Sequence, residues 1–450
     1  MDNKQFYKSV FFLVLPMALQ NLINVGISST DVIMLGRIGE KTLSGASLGS
    51  QVFFILSLFL FGITSGGAVL IAQYWGKGDL PTIQKIFGIE MKYALLVSFV
   101  FMTATFAFAN PIMHIFTNDP EAAAEGVSYL HIVCFSYVLS AITMVYLNTM
   151  RSMEHVVIAT LVYLCSLITN IAANYIFIFT PLNMGIRGAA IGTFAARILE
   201  LGIVLFYVWK KDTKVKLFDE KFRDGIIGKG SGTVWKTFFK VCIPILTSGL
   251  LWAVSLPMQT ALLGHLSADA IAANSVSSTF FQYLKVIVIA IAGASAVVIG
   301  KDIGSNDEEK VRCNGRTLSV LYLAIGLLLG TVLFLLRSPL LSMYRLTPQA
   351  TLYADHFMII MSVIMVGMSY QMPVGVGIIQ GGGDTKFSMY LNLISVWCIV
   401  MPLSFLAAFY WKLPVELVVI AVQSDQIFKC LPKFLRFKSY KWIQKLTAID

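Results

Sequence analysis

Asp31, in "GISSTDVIMLGRIG", lies near the end of an apolar segment that begins around residue 9, and it is the first side chain of the 450-residue sequence with chemistry to explain. On a helix, Gln20, Asn24, Ser28 and Asp31 recur at spacings of four, four and three, so they share one face among Leu, Val, Ile and Met. That face has to point into protein or a wet cavity, because an acid in the apolar zone costs on the order of 2.5–3.5 kcal/mol. Two readings stay open for Asp31: a functional carboxylate with a partner, or a hydrated cap at the outer interface close to Gly36. In "NIAAN", Asn170 and Asn174 stand four residues apart on one helix face, as polar ligands or as glue between helices. Lys285, in "FFQYLKVIVIAIAG", is a rare cation deep in an apolar run, where a coupling role, a carboxylate partner and snorkelling to the outer surface are all open. Arg197 and Glu200, spaced i to i+3, are expected to neutralise one another.

Other chemistry is poorly provided for. "GASLG" at 45–49 matches G-x-S-x-G, but a nucleophile elbow needs a strand-to-helix turn, and Ser47 opens an apolar helix. There is no H-E-x-x-H and no P-loop, and the five histidines are scattered. The six cysteines form no C-x-x-C pair, so neither zinc nor a disulfide framework is indicated. The chain is therefore not expected to be an enzyme or to carry a cofactor, and its energy source would be an ion gradient.

The elements that must position these residues follow from composition. With 57% hydrophobic and 13% charged residues, and a mean hydropathy of +0.77, the chain is a polytopic membrane protein. Its net charge of +10 is what cytoplasmic loops supply, and nucleic-acid binding is not expected. Apolar runs of spanning length lie near 9–35, 47–75, 90–114, 122–148, 157–179, 186–209, 237–263, 271–300, 315–336, 349–378, 387–410 and 413–432. That is twelve expected spans, which puts both termini on one side. The first run has a basic start and no A-x-A cleavage pattern, so it reads as an uncleaved helix. With the termini inside, the inner set of basic residues is Lys4, Lys8, Lys77, Lys85, Lys92, Arg151, the cluster from 210 to 240, Lys301, Lys310, Arg312, Arg316, Lys386 and the run from 429 to 445. The outer set is only Arg37, Lys41, Arg187, Arg337, Arg345 and Lys412, so both termini are expected to be cytoplasmic.

The most polar stretch, Lys210 to Lys236, divides the chain into similar halves. An offset of 228 pairs Pro16 with Pro244, "LGRI" at 35 with "LGHL" at 263, Gly76 with Gly304, Asp79 with Asp307, Pro111 with Pro339 and Pro120 with Pro348, without a gap. The expected fold is an all-α membrane protein of twelve transmembrane helices in two six-helix lobes, related by a pseudo-two-fold axis along the membrane normal. The expected divisions are an amino-terminal lobe at 1–209, a cytoplasmic linker at 210–236 and a carboxy-terminal lobe with a basic tail at 237–450. Such lobes suit alternating access around a central cleft, although duplication could also build a larger static bundle.

Pro16 followed by "LQNLINVGISSTDVIMLGRIGEKTLSGASLG", then "GAVLIAQYWGKGD" at 67–79, "NIAANYIFIF" at 170–179, "GIRGAAIGTFAAR" at 185–197, "GGGDT" at 381–385 and "RFKSYKWI" at 436–443 resemble, in this order, the MATE family (multidrug and toxic compound extrusion transporters) essentially end to end. The resemblance implies export of amphipathic organic cations from the cell in exchange for H+ or Na+. It places the chain in the plasma (inner) membrane, as a monomer among membrane lipids.

Asp31, Asn170, Asn174 and Thr193 offer two amide carbonyls, a hydroxyl and a carboxylate, an oxygen set suited to a hard monovalent cation or to hydrogen-bonding a protonated acid. They match the amino-lobe cation site of the family, and would be the metal ligands if sodium is the coupling ion. Some members carry an acid where this chain has Asn174, so the charge is lower and a proton becomes the alternative. In the second lobe, the places where one MATE branch carries acids hold Trp252 and Ser369, so a second carboxylate site is not expected and Lys285 takes its place as the charge to explain. The family arginine before "GGGDT" is Gln380, while Arg151 keeps it in the first half. Pro16 removes a backbone hydrogen bond, so the first helix bends there, either as a static kink or as a movement coupled to the cation. Met144, Tyr137, Tyr146, Trp252, Phe280, Phe281 and Met258 are candidates for an adaptable cavity or for plain core. The rival function is a flippase of lipid-linked or other amphipathic metabolites, for which the helices hold few arginines; a channel would need a filter that is not recognisable.

Overall fold

The computed structural model describes residues 3–179, 182–210, 219–228, 232–344 and 346–447, so Arg345 of the outer basic set lies outside the described residues. In chain order the first half holds α1 (Asn3–Gly36), α2 (Glu40–Lys77), α3 (Leu80–Ala107), α4 (Ala109–Phe116), α5 (Pro120–Val133), α6 (Ser136–Ser152), α7 (Val157–Asn174), α8 (Gly185–Lys210) and α9 (Glu220–Ile227). The second holds α10 (Gly232–Gly264), α11 (Ala268–Gly304), α12 (Glu308–Leu341), α13 (Pro348–Met372), α14 (Thr385–Leu393), α15 (Met401–Phe405), α16 (Val415–Gln423), α17 (Asp425–Phe428) and α18 (Cys430–Lys438). Wide π-helical segments follow α7 (Tyr175–Phe179) and α13 (Pro373–Gln380), and flank α15 (Ile394–Val400 and Leu406–Tyr410). Among the described residues the one strand-like pairing is a bridge between Gly383 and Ile443.

Ten helical runs are long and apolar enough to cross a membrane, and the α5–α6 pair, bent by 54°, makes an eleventh. Where the twelfth span is expected, 413–432, the chain forms three short helices in succession, α16 to α18. The third span begins ten residues before the expected residue 90, because local chemistry starts the helix. Gly78 takes the left-handed conformation that ends α2 (φ 79°), and Asp79 caps α3 by accepting from the Thr82 amide at 3.0 Å, with Pro81 in the first turn. The same device recurs one repeat later: Asn306 has φ 64° and Asp307 accepts from the Lys310 amide at 3.0 Å. Pro120 and Pro348 likewise open α5 and α13 behind the capping side chains of Asp119 and Thr347. The internal repeat is therefore a repeat of helix boundaries.

The chain forms two compact units, an amino-terminal one of Leu19–Cys242 and a carboxy-terminal one of the chain up to Ala18 and from Ile243 onward. This differs from a division at 209 and 237, since each repeat's leading helix is shared, with the boundary two residues after Pro16 in α1 and just before Pro244 in α10. Within the carboxy-terminal unit, Phe6 and Val10 are buried with Ile291, Tyr322, Tyr370 and Val374, and Met17 fills the space over Gly293. Within the amino-terminal unit, Gln20 donates to the Val156 carbonyl and the Thr160 hydroxyl, both at 3.0 Å, and accepts from Arg151 at 2.7 Å. Of the expected linker 210–236, residues 211–218 and 229–231 lie outside the described residues. Between them α9 stacks Phe222 against Phe87 of α3, with ring centroids 5.2 Å apart. Large side chains such as Phe11, Phe12, Val32 and Ile33 stay exposed on α1, as a helix bathed in lipid requires.

In the carboxy-terminal unit "RFKSYKWI" clasps "GGGDT". Arg436 bonds the Asp384 carboxylate at 2.6 and 2.7 Å, and the Gln444 amide donates to the Gly382 carbonyl at 2.9 Å. The Trp442 ring is fully buried, and a Cβ at Gly382 would approach it to 2.5 Å, which is why a bulkier residue does not fit. The "G-x-S-x-G" glycines are also packing residues: Gly45 lies against the Ala122 carbonyl of α5, and Ser47 is exposed. Trp442→Ala is expected to cost about 3–5 kcal/mol. This is read as a lower Tm in detergent than that of Trp209→Ala, whose ring is 80% exposed.

Candidate functional site

The amino-terminal unit brings three of the four expected polar residues into direct contact. α7 ends at Asn174 because the backbone widens there into the π segment Tyr175–Phe179, a feature frequent at functional sites. Asn170 and Asn174, four residues apart, are both buried. Asn174 donates its Nδ2 to Asp31 Oδ1 at 2.7 Å and to Asn170 Oδ1 at 3.3 Å, and Asn170 also hydrogen-bonds Asp31. Asp31 sits within α1, and its carboxylate is bonded to α7, not to its own helix terminus. Its α1 neighbours Asn24 and Ser28 are exposed.

Room for the Asn174 amide comes from α8. A Cβ at Gly192 would stand 2.1 Å from Asn174 Oδ1, so only glycine admits the amide in this position. Asn174 Oδ1 is itself buried without a hydrogen-bond partner. Thr193, the next residue, makes its side-chain hydrogen bond with Tyr129 of α5, so it joins the site through that tyrosine. One turn further, Arg197 donates to both oxygens of the buried Glu200, at 2.7 and 2.9 Å, and its guanidinium stands over Phe53. The expected Arg197–Glu200 pair is thus present, with Arg197 within electrostatic reach of Asp31.

This arrangement defines what Asp31 can do. One carboxylate oxygen receives an amide N–H, which stabilises the charged form, and the other can take a proton while that bond is kept. A bare cation between Asp31 and Asn174 would need the amide turned round to offer oxygen instead of nitrogen. At the offset of 228, the repeat mate of Asp31 is Gln259, so the carboxylate is not duplicated.

The carboxy-terminal unit is built on different charges. Lys285 is half-buried with its ammonium 5.2 Å from the Trp252 ring centroid, and it lies within electrostatic reach of Asp425. Asp425, an acid not singled out in the sequence, is bonded by Lys429 at 2.7 Å and by Gln426 at 2.9 Å. Lys433 donates to the backbone carbonyl and side-chain oxygen of Gln371 at 2.9 and 2.5 Å. Ser369 is buried, at 2% exposure, and does not bond Lys285. Sequence reasoning also missed Gln20 as the partner of Arg151, and missed Glu90, which is fully buried in mid-α3. The signal for Glu90 was available in the Asp79 cap, which starts α3 early enough to draw this acid inside.

The MatE family model matches residues 16–176 and again 244–406, once per repeat. The chain is 23% identical over 439 residues to the "Probable multidrug resistance protein NorM" of Thermotoga maritima, covering 97% of this chain and 93% of that protein. It is 26% identical over 422 residues to the protein of the same description from Rhizobium meliloti, with 91% and 87% covered. A solved mutant of the Vibrio cholerae MATE transporter VcmN shares the fold at a TM-score of 0.89 and 17% identity, covering 98% of each chain.

Gly192→Ala is expected to break the Asn174–Asp31 bond and to lower transport as far as Asn174→Ala does. Because both changes act on one contact, the double variant should lose no more than either single one. Transport by the three proteins in liposomes checks this; additive losses would separate Gly192 from the site.

Proposed function

Because the chain belongs to the MatE family, and is thus a membrane transporter and not an enzyme, we propose that it is an antiporter that exports amphipathic organic cations from the cell in exchange for H+ or Na+. Asp31 is the residue that binds the coupling ion, with Asn170 and Asn174 as its immediate shell and Thr193 behind them. The observation that carries this reading is the 2.7 Å bond from the Asn174 amide to a lone Asp31 carboxylate, inside a unit whose nearby arginine is already held by Glu200. A lone carboxylate, with a neutral amide at 174 in place of a second acid, supports H+ over Na+ as the ion. The names of the two NorM relatives support drugs as cargo. The asymmetry of basic residues supports cytoplasmic termini in the plasma membrane. Pro16, two residues before the boundary between the units, is the flexible point of α1 in an alternating-access cycle.

Efflux of a fluorescent organic cation from proteoliposomes under separately imposed proton and sodium gradients tests the reading. A proton gradient is expected to drive efflux, and Asp31→Asn to lower it by at least about tenfold, within the ~5–150-fold usual for coupling between two sites. Efflux unaffected by losing Asp31 would overturn its role, and no efflux under either gradient would favour a flippase. Pro16→Ala is expected to keep substrate affinity and to slow turnover; unimpaired turnover would make the proline a static kink.

A further inference from the structure

Glu90 is a carboxyl that the proposed transport site does not use. It is fully buried in α3, about 15 Å along the helix from Leu80 at 1.5 Å per residue. Among the described residues its one side-chain hydrogen bond comes from the Thr149 hydroxyl of α6, to Oε2 at 3.3 Å, and Oε1 has no partner. Oε1 lies against the backbone of α2, where a Cβ on Gly67 would stand 1.3 Å away. The adjacent Gly66 receives Cys242 of α10 in the same way, and the Cys242 thiol reaches the Ile63 carbonyl at 3.7 Å. The glycine pair of "TSGGAV" therefore admits an acid from one helix and a thiol from another.

The groups packed around this carboxyl are a hydroxyl, a thiol and glycine backbone. α6 offers Thr149, α2 offers glycine backbone, and α10 offers Cys242, which lies within electrostatic reach of the acid. α9 turns Phe222 and Gly225 inward against Phe87, Gly88 and Lys85, and none of its charged residues is fully buried. Among the described residues, no basic side chain pairs with Glu90. An unpaired carboxylate in such a place costs several kcal/mol, so a proton takes the part of the missing cation. The fold does not call for the acid: at the offset of 228 its repeat mate is Leu318, which fills the corresponding place in α12 fully buried.

We propose that Glu90 is a second proton-binding site of the amino-terminal unit, neutral while α2, α3, α6 and α10 are closed around it and releasing its proton to water when they part. Proton binding follows from the burial and the missing cation; its use in transport rests on the ion-coupled reading above.

Infrared difference spectra of the full-length protein in lipid, recorded against pH, test the binding. The expected result is a protonated-carboxyl C=O band that Glu90→Gln lacks and that fades as pH rises. Thr149→Val should move the same band to higher frequency, since the carbonyl loses its hydrogen bond; this variant serves if Glu90→Gln does not fold. No band assignable to Glu90, or one unchanged over the whole range in which the protein stays folded, would overturn the proposal. In liposomes, Glu90→Gln is expected to bind the fluorescent cation as the wild type does and to lower proton-driven efflux by at least about tenfold. Wild-type efflux driven by neither gradient would sink the ion-coupled reading and leave the infrared result standing. Coupled efflux without a Glu90 band would sink this proposal alone.

Discussion

In an apolar helix bundle a polar group has to find its hydrogen bonds inside the protein, and in the amino-terminal unit Asp31 finds its own by close helix approach. Asn174 can hold the Asp31 carboxylate because Gly192 leaves space for the amide. The same substitution of space for side chain seats Glu90 over Gly67 and Cys242 over Gly66, and in the carboxy-terminal unit it seats Lys433 over Gly375 and Trp442 over Gly382. A single methyl group at any of these places would collide with the group that the helix crossing was built to receive.

Duplication shaped the backbone and left the chemistry to diverge. Asp79 and Asp307 cap their helices alike, and Gly78 and Asn306 take the same left-handed turn, since helix termini are set by short-range hydrogen bonds that a repeat copies intact. The leading helix of each repeat is shared between the units close to its proline, where the missing amide already interrupts the hydrogen-bond ladder. At the polar positions the halves part company. Asp31 faces Asn174 and Asn170 in one unit, whereas its repeat mate is Gln259. The other unit instead sets Lys285 over Trp252 and pairs Asp425 with Lys429. Asp31 is thus held by neutral amides, whereas Lys285 stands over an aromatic face and Lys429 is paired with an acid.

Much of the fold was legible in the amino acids themselves. Apolar runs of spanning length and the offset of 228 are local or periodic signals, and hydrophobicity acts through composition without reference to distant partners. Asn170 and Asn174 were readable as a pair because four residues bring two side chains to one helix face. The start of α3 was misplaced, since Lys85, Glu90 and Lys92 lower the local hydropathy, while the cap at Asp79 decides where the helix begins. The expected division at 209 and 237 rests on the polar linker, while the compact units follow packing, with Phe6 and Val10 buried among residues some three hundred positions away.

By itself the sequence determined a helical membrane protein with an internal repeat, an acid on the first helix and two amides on a later one, because these depend on residue type and short spacing. Only the tertiary structure decided which of these polar groups meet. Asn174 reaches Asp31 across 143 positions, Thr193 goes to Tyr129, and Glu90 is enclosed with no basic partner among the described residues. The reason is physical: a hydrogen bond in the bundle depends on how closely two helices cross, and that distance is set by which glycines face which side chains after the chain has packed.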